Sequence, residues 1–302
     1  MRGKTDPNGV SMVTHPVRRG LVSAAVTVAL MAVFLLAPAA TRVYASNMMG
    51  ALRAPGEPAF VAGHRGDRAS APENTLPALA AALTGPLEFV ETDVQLSADG
   101  VPVLIHDETV DRTTDGTGAV VELTLEQLRQ LDAGSWFDAE FAGTRIPTLV
   151  EFLDLFATSD KKALVELKGF WTSAQIRGIL ADILARGVQD RIVFAGFNLT
   201  TIENLREAAP AFPRVIIRRD LPDDPVGLAQ FYGAIAILTS PASLERDEYA
   251  VRDMHEAGLG VLLYTLNSEE RWSEALAYGV DGIITDQPSR LDGWIAATAP
   301  GT

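Results

Sequence analysis

Between Ala59 and Trp294, short apolar runs alternate with longer stretches whose apolar residues recur three and four positions apart. The short runs read as strands over Phe60–Ala62, Phe89–Val94, Pro102–Ile105, Ala163–Leu167, Ile192–Phe194, Val215–Ile217, Ala234–Leu238, Gly260–Leu263 and Gly282–Ile284. The longer ones predict helices over Pro77–Leu83, Ala174–Arg186, Thr201–Ala208, Asp247–Ala257 and Ser268–Tyr278. Strands that alternate with helices imply βαβ units and a parallel sheet. A region of roughly 250 residues suits one (β/α)8 TIM barrel. Nine strands are one too many for it. Asp99-Gly100, between VETDVQLS and VPVLIHD, is a hairpin signal, so the surplus falls at the second and third strands. Asp107 to Thr158 carries no strand and is expected to form a loop and short helices over one end. No linker rich in Pro, Gly or Ser interrupts residues 56–295, which predicts a single domain over residues 46–302.

The pattern before residue 46 is different. Leu21 to Ala40 is an uncharged apolar run preceded by Arg2, Lys4, Arg18 and Arg19. A basic start, an apolar run and small residues afterwards describe a secretory signal. Ala37-Pro38-Ala39 and Val43-Tyr44-Ala45 are candidate cleavage sites; an uncleaved N-terminal anchor is the alternative, since the run is about long enough to span a bilayer. Arg18-Arg19 fits a twin-arginine pattern poorly. The expected location is outside the cytoplasm: periplasmic, extracellular or anchored facing outward.

Composition narrows the chemistry. The chain of 302 residues has a formal charge of −14, which becomes −18 once the five basic residues and one acid of residues 1–45 are set aside. Such acidity argues against a nucleic-acid partner. It also means that an anionic substrate needs a local cation to hold it. With no cysteine, a disulfide scaffold, a thiolate zinc site and a cysteine nucleophile are excluded.

In a parallel barrel the working residues stand where strands end. His64 and Arg65 follow the first strand. Glu91 and Asp93, two apart and so on one face, end the second. His106 and Asp107 close the third; Glu166 and Lys168, again two apart, close the fourth. Alone, a Glu-x-Asp is ordinarily a solvated strand face, a Glu-x-Lys a surface ion pair worth under about 1 kcal/mol, and a strand-end histidine a structural residue. Four such pairs at successive strand ends instead converge on one pocket. Three carboxylates and no thiol suit a hard divalent cation, Mg²⁺ or Ca²⁺. Arg65 can fork onto phosphate oxygens and Lys168 adds a point charge, while two histidines can share acid and base roles. His255, in VRDMHEAGL, is expected on the exterior of a helix.

HRGDRASAPENTLPAL (64–79), ETDVQLSADGVPVLIHDETVDRTTDGTG (91–118), RIPTLVEFL (145–153), VELK (165–168), YTLN (264–267) and DGIITDQP (281–288) together resemble the glycerophosphodiester phosphodiesterases. The resemblance runs from Phe60 to Leu291. It implies a metal-dependent (β/α)8 hydrolase that converts small-molecule glycerophosphodiesters into an alcohol and glycerol 3-phosphate. By the same resemblance His64 and His106 are the acid–base pair, Glu91, Asp93 and Glu166 the metal ligands, and Arg65 and Lys168 the phosphate-binding residues. In Pro72-Glu73-Asn74-Thr75, Asn74 or Thr75 is expected to cap the following helix and Glu73 to support the site.

Two departures concern the alcohol. The family often has Ser-Phe after its fifth strand, where this chain has Gly196-Phe197-Asn198, and Trp before Thr-x-Asn, where this chain has Tyr264. Phe197 and Tyr264 are therefore candidate head-group contacts, an aromatic platform for an apolar or cationic group. Two other readings stand beside the main one. A phospholipase D-like enzyme on the same barrel would act on lysolipid or sphingolipid head groups and need an apolar rim, for which Trp136, Phe137 and Phe141 are candidates. A non-catalytic binding protein on the same barrel is the other. Whether water or a substrate hydroxyl attacks is left open by the residues.

Overall fold

The computed structural model describes residues Met48–Thr298. The expected export segment lies outside the described residues. Among the described residues nine strands form: β1 (Phe60–Gly63), β2 (Phe89–Leu96), β3 (Pro102–Leu104), β4 (Lys162–Leu167), β5 (Ile192–Gly196), β6 (Arg214–Arg218), β7 (Ala236–Thr239), β8 (Gly260–Leu263) and β9 (Gly282–Thr285). Eight are parallel, and β1 pairs with both β9 and β2, which closes the sheet into a barrel. The ninth, β3, lies antiparallel on β2 with Val94 opposite Leu104. The surplus strand is thus the hairpin arm signalled by Asp99-Gly100.

Each strand has an inward ladder of alternate residues, because successive side chains point to opposite faces. Phe60 and Ala62, Phe89, Leu164, Val193 and Ala195, Val215 and Ile217, Ala236 and Leu238, Leu262, and Ile284 form one apolar cluster inside the barrel. Met48 and Met49 join it and cover the end where the strands begin, and the Lys162 ammonium donates to the Met48 carbonyl at 2.5 Å. The outward residues, among them Val90, Val165, Phe194, Ile216, Ile237, Val261 and Ile283, meet the helices in a second cluster.

The helices differ from expectation in three places. Leu149–Phe156, inside the segment expected to lie over the barrel end, is part of the outer ring: Thr148 and Glu151 close a capping box, and Leu149, Phe152, Leu153 and Phe156 are buried. The single helix expected over Asp247–Ala257 is shorter, Ala250–Glu256, with a separate turn of helix at Pro241–Arg246 before it. Pro225–Tyr232 and Pro288–Thr298 are helical although their apolar spacing is weak; each begins at a proline, whose fixed φ suits the first turn. No helix among the described residues is long and apolar enough to cross a membrane.

Candidate active site

The inward ladders carry the chemistry. Continued by one step of two residues toward or past the strand ends, they reach His64 on β1, Glu91 and Asp93 on β2, Glu166 and then Lys168 on β4, Phe197 on β5, Arg219 on β6, Tyr264 on β8 and Asp286 on β9. A cavity of about 220 Å³ opens there, lined by His64, Arg65, Glu91, His106, Glu166, Phe197, Arg219 and Tyr264, with Leu164, Ile217 and Leu238 at its floor.

Glu91, Asp93 and Glu166 are all buried, and each offers an oxygen within 4.8 Å of the others. Burial, with the charges of Asp93 and Glu166 beside it, pushes Glu91 well above the usual carboxylate range. Glu166 is raised to about 7, first by burial and then by Asp93. Asp93 stays low, at about 2: burial opposes ionisation there, but the Lys168 and Arg65 charges and the Asn74 amide outweigh it. Three buried acids that oppose one another's ionisation, with only oxygen donors, fit a hard divalent cation, which would let all three ionise together.

Both histidines are oriented through Nδ1. His64 Nδ1 lies 2.7 Å from Asp286 Oδ1, and His106 Nδ1 lies 2.7 Å from Asp107 Oδ1. Both aspartates are held below the usual carboxylate range: burial opposes this at Asp286, but hydrogen bonding and charge from His64 prevail, while Arg112 leads at Asp107. Ionised, they accept only, so each imidazole donates its Nδ1–H and keeps the Nε2 lone pair. Burial lowers the affinity of both rings for a second proton, partly countered by the Asp286 bond at His64 and by the Asp93 charge at His106.

Much of the support was not assigned from sequence. Asn267 donates to Asp286 Oδ2 at 2.8 Å and accepts from the Asp286 N–H at 2.9 Å, so YTLN serves to fix the carboxylate that orients His64. Glu73 gathers Arg65, Arg68 and Arg112, and Arg112 bridges onward to Asp107 at 2.6 Å. Neither Asn74 nor Thr75 caps the next helix by its side chain. Asn74 instead donates to Asp93 Oδ2 at 2.9 Å and accepts from Thr92, and the Thr75 hydroxyl donates to the Pro72 carbonyl. The cap expectation failed because the Asn74 backbone is left-handed, φ 55°, which turns its amide toward β2. Arg65 shares that conformation, φ 55°, which aims its N–H at Glu91 Oε2 at 2.8 Å.

Two further expectations concern placement. Lys168 is drawn to the carboxylates, 2.9 Å from Glu166 and 3.4 Å from Asp93, and its ammonium sits over the Phe197 ring at 5.8 Å. His255 lies outside the barrel but is mostly covered, because its Nε2 meets the buried Asp281 carboxylate at 3.0 Å.

The same architecture and motif order recur in known proteins. The sequence profile of the Glycerophosphoryl diester phosphodiesterase family matches residues 64–290. A glycerophosphodiester phosphodiesterase of Caldanaerobacter subterraneus is 34% identical over 235 residues, spanning 77% of this chain and 96% of the relative. Among solved structures, the Agrobacterium tumefaciens glycerophosphodiester phosphodiesterase superposes with a TM-score of 0.69 at 30% identity, over 78% of this chain and all of that one. An Oleispira antarctica phosphodiesterase, solved in complex with the product sn-glycerol-3-phosphate, superposes with a TM-score of 0.69 at 29% identity, over 78% of this chain and 96% of that one. The fold and site define a phosphodiester hydrolase on a (β/α)8 barrel. The chain belongs to the glycerophosphoryl diester phosphodiesterase family.

Proposed function

We propose that this protein hydrolyses glycerophosphodiesters to an alcohol and glycerol 3-phosphate in a divalent-cation-dependent reaction, with His64 and His106 as the acid–base pair. The observation that carries the reading is the pair of Nδ1-anchored imidazoles lining the same cavity as two carboxylates of the buried Glu91–Asp93–Glu166 cluster.

Glu91, Asp93 and Glu166 would hold Mg²⁺ or Ca²⁺, which when bound supplies charge stabilisation to a phosphoryl oxygen. Arg65, kept in place by Glu73, presents its guanidinium to the phosphate from the pocket wall. Lys168 contributes positive charge from its place against Glu166 and Asp93. One histidine takes the proton of the attacking hydroxyl at its free Nε2; the other, entering protonated, gives a proton to the leaving alcohol oxygen. Asp286 and Asp107 stabilise whichever imidazolium forms. Phe197 and Tyr264, edge to face with ring centroids 6.2 Å apart, flank the alcohol.

The phospholipase D-like alternative is less well supported. Trp136, Phe137 and Phe141 pack edge to face on one another, and none of them lines the cavity. The test is release of glycerol 3-phosphate from soluble glycerophosphoglycerol, set against head-group release from lysolipid micelles. Turnover of the soluble diester supports the reading. Turnover of micelles alone would replace it with the lipase-like one, and none of either would favour a binding protein. Export, with function outside the cytoplasm, is proposed on the pattern of residues 1–45; N-terminal sequencing of the protein recovered from cell fractions tests it, and an intact Met1 on cytoplasmic protein would refute it.

A further inference from the structure

The end of the cavity away from the acid–base pair holds a cation that the mechanism does not use. Arg219 directly follows β6 and continues the inward ladder of Val215 and Ile217, which places it on the cavity wall with Phe197 and Tyr264. The other arginine of that wall, Arg65, is ion-paired to Glu73 and Asp93. Among the described residues, no hydrogen bond or ion pair engages the Arg219 guanidinium, and none engages the Tyr264 phenol. Its neighbour Asp220 pairs with Arg246, so the nearest carboxylate in sequence already has its own counter-ion.

The aromatic platform is also less suited to a cation than its composition implies. The Lys168 ammonium already sits over the Phe197 ring, so a quaternary ammonium placed there would share the cavity with the positive charges of Lys168 and Arg219. A solvent-reaching guanidinium with no protein partner, in a chain otherwise strongly acidic, is suited to bind an anion supplied by the substrate. Resting on the function proposed above, we infer that Arg219 is a specificity-determining residue that selects glycerophosphodiesters whose alcohol bears an additional anionic group, a phosphate monoester or a carboxylate, over those whose alcohol bears a quaternary ammonium. The Tyr264 phenol is placed to donate a second hydrogen bond to the same group.

The test compares two diesters that differ by one phosphate, glycerophosphoinositol and glycerophosphoinositol 4-phosphate, with glycerophosphocholine as the cationic case, at fixed ionic strength. The wild-type enzyme should favour the phosphorylated diester by about tenfold in kcat/KM, mostly through KM, and use the choline diester least well. In Arg219→Gln the ratio between the two inositol diesters should fall to about one, and Arg219→Lys should restore part of it. An unchanged ratio in Arg219→Gln, or a wild-type preference for choline, would overturn the inference. If no diester released glycerol 3-phosphate, the proposed function would fail, yet the anion site would still be open to test by calorimetry with inositol 1-phosphate and inositol 1,4-bisphosphate. About tenfold tighter binding of the bisphosphate, lost in Arg219→Gln, would uphold the site; equal binding would overturn it.

Discussion

Each histidine of the pocket depends on one carboxylate, and that single bond decides which ring nitrogen is left for chemistry. His64→Ala and His106→Ala should fold, since both are polar groups at the cavity wall and their removal opens no core void. Each should lower turnover by about 10²–10⁴-fold, and the double variant should be scarcely slower than either single one. Asp286→Asn tests the tautomer: an amide can donate to Nδ1, which moves the ring proton to Nε2 and removes the lone pair facing the substrate. A loss on the order of 100-fold in kcat with an unchanged melting temperature is expected; unaltered kcat would show that the orientation of His64 is irrelevant. His255 contrasts with both. Its bond to buried Asp281 holds a helix end to a carboxylate that also accepts from the N–H groups of Arg53 and Val261. His255→Ala should therefore keep its activity and lose about 1–2 kcal/mol of stability, read from denaturant unfolding.

At the scale of strands and loops, period-two alternation did most of the predictive work. All nine strands were legible, because each is a short apolar run and the Asp-Gly pair exposes the hairpin. The proline-led helices were not, since a short helix buried on one side by tertiary contact needs little periodicity of its own. The same alternation places seven of the nine residues assigned to chemistry on inward ladders. Arg65 is on none of them; the left-handed turn that aims it is visible only in the structure. Arg219 and Asp286 were passed over although they continue the same ladders, because each lies just past the end of its strand, where the alternation stops. Asn267 could not be assigned, for its partner Asp286 is 19 residues away, and the link from Arg112 to Glu73 spans 39 residues although its other partner, Asp107, is five away. Gly66 shows how tightly the first loop is built. Its φ is +87°, and a Cβ there would come within 2.6 Å of the Ala78 backbone. Gly66→Ala should destabilise the protein by about 2 kcal/mol or more and lower activity as well, because the Arg65–Glu91 contact moves with it. A wild-type unfolding midpoint would contradict this account of the loop.

Over the whole molecule, the chain stays strongly acidic, but cations are gathered locally around particular carboxylates. Glu73 is the anionic centre of one. Burial alone would raise it, but the hydrogen bond from Arg112 and the charges of Arg65 and Arg68 bring it from 4.5 to about 2. A depressed folded-state pKa stabilises the protein above the unfolded value, and the contribution is lost as pH falls through about 4.5 toward about 2. On the order of 3 kcal/mol is at stake. Glu73→Gln should lower stability at pH 7 and flatten its acid dependence over that window; an unaltered slope between pH 5 and pH 2 would exclude Glu73 as its source. The Glu91–Asp93–Glu166 cluster is the opposite case, acids short of a cation. Mg²⁺ or Ca²⁺ should raise the melting temperature of the wild type and have much less effect on Asp93→Asn. The central claim is tested most directly by glycerol 3-phosphate release from glycerophosphoglycerol after exhaustive chelation and after return of Mg²⁺ or Ca²⁺. Activity should vanish on chelation and return with the ion in the wild type, and should not return in His64→Ala or His106→Ala. Full turnover in the chelated wild type, or ion-restored turnover in either histidine variant, would contradict it.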